Sequence, residues 1–126
     1  MRQVNKTFVI AEAGVNHNGD VAMARALVDA AAAAGADAVK FQTFVVDRLV
    51  TRGAATAEYQ QRATGGEQSQ YEMLARLQLS PADHEMLFAH CAARSIEFMS
   101  TPFDSESARF LQRLGEIGRA SCRERV

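Results

Sequence analysis

The stretch from Phe8 to Phe44 limits what this chain can fold into more than any other. It reads as an apolar strand ending in Glu12, a polar loop Gly14-Val15-Asn16-His17-Asn18-Gly19-Asp20, an alanine-rich helix, and a second strand carrying Lys40 and Gln42. Strand, helix and strand in that order make a βαβ unit, with parallel strands and a right-handed crossover. Parallel sheets bind their ligands beyond the carboxyl ends of the strands. The carboxylate, ammonium and amide of this stretch therefore fall where a site is built.

Along the chain, residues 7–13 (TFVIAEA) are almost continuously apolar, which predicts a strand covered on both faces, with Phe8, Ile10 and Glu12 sharing one of them. Asp20 is a good N-cap for a helix over 21–34, where Ala24, Leu27, Val28 and Ala31 recur at helical spacing. Gly35 suits the left-handed residue that ends it. The run Ala30 to Ala34 predicts close helix–sheet packing. In the second strand, 36–43, Val39 and Phe41 point one way and Lys40 and Gln42 the other; if Val39 and Phe41 face the covering helices, Lys40 and Gln42 face a sheet or barrel interior. A lysine facing inward is costly unless it is paired or meets an anion.

Residues 44–68, with Gly53, Gly65 and Gly66, form a long connection of the kind that is usually functional. A short helix around Tyr71, Met73, Leu74 and Leu77 follows within 69–79. Ser80-Pro81-Ala82-Asp83 is a capping box with proline at the first helical position. That helix runs to about Arg94, with Leu87, Phe88, Cys91 and Ala92 as its buried stripe. A third strand over 96–101 is stopped by Pro102. Asp104 then caps a third helix with Ala108, Leu111 and Leu114 inward. After Gly115 the pattern fails. Residues 116–126 resemble a translated sequencing adapter and are expected to be a non-native tail behind a domain of residues 1–115. Three strand–helix repeats predict an α/β fold: the first three βα units of a truncated (β/α)8 TIM barrel.

With 48% hydrophobic and 23% charged residues, the chain has the composition of an ordinary globular domain. A net charge of −1 gives no case for nucleic acid or an anionic membrane. No apolar run is long enough to span a bilayer, and no basic, apolar leader precedes the first strand, so a cytoplasmic location is expected. Cys91 and Cys122 lack metal-site spacing and are expected to be reduced thiols.

Four motifs then carry a resemblance. Ile10-Ala-Glu-Ala-Gly-Val-Asn-His-Asn-Gly19, Gly35-Ala-Asp-Ala-Val-Lys-Phe-Gln-Thr43, Gln70-Tyr71-Glu72 and Met99-Ser-Thr-Pro-Phe-Asp104 resemble the N-terminal part of the sialic acid synthase family. The segments Ala57-Glu-Tyr-Gln60 and Glu67-Gln-Ser-Gln-Tyr-Glu72 are most similar to the bacterial legionaminate and neuraminate synthases. The resemblance implies condensation of phosphoenolpyruvate with an N-acylated amino sugar, either N-acetylmannosamine or a 6-deoxy diacetamido hexose, to a nine-carbon acid. It places Lys40, Gln42 and Thr101 on phosphoenolpyruvate, Glu12 beside the acceptor sugar, and Tyr71 in a segment bordering the sugar pocket. A divalent metal, Mn or Mg, would act as Lewis acid on the sugar aldehyde, held by histidines on later strands outside these residues. A homodimer is implied, and the 126 residues alone are expected to be inactive.

Plainer readings compete at several positions. Asn16 and Asn18 either shape the turn or touch substrate. His17 orders its loop by a hydrogen bond or reaches the substrate side, and lacks a second ligand at a spacing suited to metal. His84 and His90, six apart, are expected on the solvent side. For the whole, the alternatives are a non-catalytic fragment, or an α/β module in which Lys40 holds an anion. Convergence of Glu12, Lys40, Gln42 and Thr101 on one mouth would favour the synthase over the module.

Overall fold

The computed structural model describes residues 6–49 and 70–125, with side chains through residue 115. The elements are β1 (Ile10–Gly14), α1 (Val21–Ala33), β2 (Ala38–Thr43), α2 (Val46–Leu49), α3 (Gln70–Leu77), α4 (Pro81–Ala93), β3 (Glu97–Pro102) and α5 (Ser105–Arg125). The three strands form one parallel sheet in the order β1-β2-β3. This is the βα succession expected of the first part of a barrel. Residues 50–69, most of the long connection, lie outside the described residues.

Local chemistry sets the helix ends as expected. The Asp20 carboxylate accepts from the Ala22 amide at 2.9 Å, and Gly35 ends α1 at φ +85°. At α4, Asp83 N–H donates to Ser80 Oγ at 3.0 Å while Ser80 N–H donates to Asp83 Oδ2 at 3.2 Å, with Pro81 leading the helix. Asp104 receives the Ser107 amide at 2.7 Å at the start of α5.

The core lies on one face of the sheet. Ala24, Val28 and Ala31 of α1 and Leu87 and Cys91 of α4 pack with Val39 and Phe41 of β2, all buried. The Phe98 ring stacks on Phe41 at 5.8 Å and meets Phe88 at 5.7 Å. Between the two covering helices, Asp29 accepts from His90 Nε2 at 2.7 Å and pairs with Arg94. Burial pushes the Cys91 thiol up to about 12, so it is an inert packing group.

Four expectations are corrected. The first strand is not covered on both faces: Ile10, which opens β1, is 43% exposed, and Phe8 and Val9 just before it are about half exposed. The connection after β2 contains α2, a turn too short to leave a periodic signal. The helical backbone does not stop at Gly115 but runs to Arg125, since a nucleated helix propagates through Arg, Glu and Ala without a core stripe. Neither expected solvent-side histidine is exposed: His90 is partly buried against Asp29, and His84 is 2% exposed. The reason for His84 is its place in α4, three, four and seven residues before Leu87, Phe88 and Cys91.

Leu87→Ala should destabilise the protein by about 2–5 kcal/mol, while Met86→Ala, on the exposed side of the same turn, should stay within about 0.5 kcal/mol. Urea midpoints of the two variants check the contrast, and equal shifts would contradict the packing. Burial also holds His17 and His84 below the ordinary imidazole value of 6.5. A lowered folded value means that the unfolded chain takes up protons first, so stability is intact above pH 6.5 and falls as pH drops from there through the folded values. The urea midpoint should be level above about pH 7 and decline toward about pH 5.5. A midpoint that climbs over that interval would contradict the buried neutral state.

Candidate functional site

Strand register decides which side chains meet. Glu12 pairs with Lys40 across β1 and β2, and Gln42 with Thr101 across β2 and β3. In-register partners in a parallel sheet share a face, and residues two apart on one strand share it too. Glu12, Lys40, Gln42 and Thr101 therefore stand together on the face opposite the helices, at the carboxyl ends of three successive strands. Val39 and Phe41 take the other face and are buried, as the alternation predicts.

A bulge adds to the convergence. Pairing passes from Glu12 opposite Lys40 directly to Gly14 opposite Phe41, with Ala13 as the extra residue. Gly14 sits at φ +56°, and a Cβ built on it would lie 3.6 Å from Glu12 Oε2 and 3.8 Å from Gln42 Nε2. The carboxylate and the amide thus flank one small backbone position. Lys40 Nζ lies 3.0 Å from Glu12 Oε1, with the lysine side chain 34% and the glutamate 53% exposed. An ion pair that wet contributes about 0–1 kcal/mol. An ammonium has three donors, so the Lys40 donors not used by Glu12 are available to an anion. Chemically, the rim offers one cation, one carboxylate and two neutral hydrogen-bonding groups on a half-open surface.

The loop behind Gly14 holds itself. Asn16, Asn18 and Asp20 amides donate to the carbonyls of Ala13, Val15 and His17 at 3.0–3.1 Å, and Asn18 adopts φ 56°. Asn16 and Asn18 project from this loop exposed. His17 is 1% exposed, and its Nδ1 accepts from the Gly19 amide at 2.8 Å. Its ring lies 6.1 Å from Phe41, on the helix side of the sheet. Of its two expected roles, the loop-ordering bond is the one this structure shows.

The short helix α3 docks on the same loop. Gly19 at φ +80° faces the Arg76 carbonyl so closely that any Cβ would collide with it. Val46 N–H donates to Gln78 Oε1 at 2.8 Å, and Tyr71 Oη donates to Asp47 at 2.6 Å. Tyr71 is thus tied into the connection after β2. Arg48, which sequence reasoning missed, joins α2 to α5: its Nε is 3.2 Å from Asp104 and its Nη1 3.1 Å from Glu106. The hydrogen bond from the Ser107 amide, helped by Arg48 beside it, holds the Asp104 carboxyl below the usual range. Its only available signal was its position in a long connection.

Among the described residues, no three His, Cys, Asp or Glu side chains converge on a point that could hold a metal ion. These residues do not fit a metal centre of their own. Among them, also, no helix is long and apolar enough to cross a membrane.

Comparison with known proteins agrees with the fold. An N,N'-diacetyllegionaminic acid synthase of Legionella pneumophila is 54% identical over 108 residues, covering 86% of this chain and 30% of that protein. Its namesake in Campylobacter jejuni is 45% identical over 112 residues, covering 89% of this chain and 34% of that one. The crystal structure of an N-acetylneuraminic acid synthetase from Leptospira borgpetersenii superposes with a TM-score of 0.69 at 28% identity, over 88% of this chain and 34% of that one. The chain thus spans about a third of the length of these relatives. The NeuB family pattern matches residues 27–117, and this chain belongs to the NeuB family.

Proposed function

We propose that these residues open the barrel of a full-length transferase that joins phosphoenolpyruvate to an N-acylated amino sugar, releasing phosphate and a nine-carbon acid. The observation that carries the reading is the single sheet face shared by Glu12, Lys40, Gln42 and Thr101 at their strand ends. An anion-binding module needs only Lys40; a grouped carboxylate, amide and hydroxyl suits a two-substrate site better. The diacetamido acceptor is favoured over N-acetylmannosamine, because two relatives at 54% and 45% identity are named for diacetyllegionaminic acid. A Drosophila relative named as an N-acetylneuraminate-9-phosphate synthase is 34% identical. We place the enzyme in the cytoplasm as a homodimer.

In the proposed reaction, C3 of the enol attacks the open-chain aldehyde carbon of the sugar and a C–C bond forms. Water adds at C2, and the C2–O bond to phosphate breaks with its electron pair leaving on phosphate. Lys40 is a point charge suited to the donor's carboxylate or phosphate, and Gln42 and Thr101 add directional bonds that orient it. Glu12, drawn to Lys40 in the free protein, borders the acceptor with Asn16 and Tyr71. A divalent metal, when bound, would polarise the aldehyde oxygen, with ligands from outside the residues described here.

In the full-length enzyme, Lys40→Ala should raise KM for phosphoenolpyruvate about tenfold or more and leave KM for the sugar within about twofold. Steady-state kinetics with each substrate varied checks this, and equal rises would contradict the assigned role. The isolated 126-residue chain should release no phosphate from phosphoenolpyruvate and sugar. Turnover by that chain would contradict the reading of these residues as an incomplete site.

A further inference from the structure

Directly behind Gln42 and Thr101, on the helix side of the sheet, runs a chain of polar side chains. Thr43 follows Gln42 on β2, and Ser100 precedes Thr101 on β3, so each points to the face opposite its rim neighbour. Thr43 Oγ1 lies 2.6 Å from Ser100 Oγ and 2.9 Å from His84 Nε2, and His84 Nδ1 lies 2.9 Å from the Ser80 carbonyl oxygen. Thr43 is 5% and His84 2% exposed. The His84 ring is held edge-on by Phe110 at 5.3 Å and Phe98 at 6.4 Å.

Proton placement along this chain has one solution. A carbonyl oxygen only accepts, so His84 Nδ1 carries the hydrogen. Burial keeps the ring neutral, which leaves Nε2 bare and accepting. Thr43 must therefore donate to His84, and its oxygen must accept from the Ser100 hydroxyl. Every link depends on the next, and the chain crosses from α4 through β2 to β3. The backbone closes the same corner: Phe103 N–H donates to the Thr43 carbonyl at 3.1 Å. The relative position of the ends of β2 and β3 sets the gap between Gln42 and Thr101.

We infer that His84 is a positioning residue for the phosphoenolpyruvate side of the rim, acting through Thr43 and Ser100 on the spacing of Gln42 and Thr101. The inference rests on the synthase reading above. His84 touches no substrate. It supplies the acceptor that orients the Thr43 hydroxyl, and that hydroxyl ties β2 to β3 one residue from the rim. Removing the acceptor frees the buried Thr43 hydroxyl and the part-buried Ser100 hydroxyl to bond in either direction, so the cross-link between the strand ends loses its fixed orientation.

The test uses the full-length enzyme as wild type, His84→Phe, Thr43→Val, the double variant and His84→Gln, whose amide oxygen can accept from Thr43. Both single changes should raise KM for phosphoenolpyruvate about tenfold, with KM for the sugar within about twofold. The double variant should be no worse than the worse single one, and His84→Gln should recover most of the loss. Unchanged KM, equal rises for both substrates, or additive losses would overturn the inference. If His84→Phe does not fold, the nearly isosteric Thr43→Val carries the same comparison. A wild-type enzyme without turnover would overturn the synthase reading instead. In that event the 15N chemical shifts of His84 still decide the chain: a protonated Nδ1 with a bare Nε2 is expected, and the opposite tautomer overturns it.

Discussion

Everything at the candidate site depends on the register of three parallel strands. A slip of one residue would exchange the two faces of a strand, sending Lys40 and Gln42 under the helices and exposing Val39 and Phe41. The packing of Val39 and Phe41 against α1 and α4 prevents this, since all three elements contribute fully buried apolar atoms there. Hydrophobic burial on one face is thus what holds the polar groups on the other. The Glu12–Lys40 pair is a consequence of that arrangement and too exposed to be its cause.

The rim is built from weakly stabilising interactions, and this suits binding. A half-exposed ammonium opposite an exposed carboxylate can exchange partners at little cost. Rigidity comes from behind. The bulge at Ala13, the self-bonded loop from Ala13 to Asp20 and the docking of α3 on Gly19 fix the end of β1. Arg48 fixes the segment after β2 against the start of α5, and the Ser100–Thr43–His84 chain joins β2 to β3. The described face of the sheet around Ile10 remains open, as it would before later strands close a barrel.

Most of this was legible in the residues. Asp20, Gly35, Ser80 to Asp83 and Asp104 announce their helices through backbone chemistry that needs no tertiary context. The alternation of Val39, Lys40, Phe41 and Gln42 announces which groups share each face of the sheet. The buried histidines were harder. His84 occupies the same helical stripe as Leu87, Phe88 and Cys91, and its spacing signalled burial, but its polarity argued for solvent until Thr43, 41 residues earlier, was seen to satisfy it. The loop-ordering bond of His17 is among its expected roles, but its burial is not, and its Nε2 is buried with no partner among the described residues. The backbone of 116–125 was missed because helix continuation needs no apolar stripe. Arg48 and α2 fall in a stretch whose order comes from partners far along the chain.

The central claim, that one face of strand ends holds an anionic three-carbon donor, is tested most directly by a crystal structure of the full-length enzyme with phosphoenolpyruvate bound. The account predicts an anionic group of the donor within hydrogen-bonding distance of Lys40 Nζ, with Gln42 and Thr101 beside it. A donor bound away from that face, with the Glu12–Lys40 pair undisturbed, would contradict it.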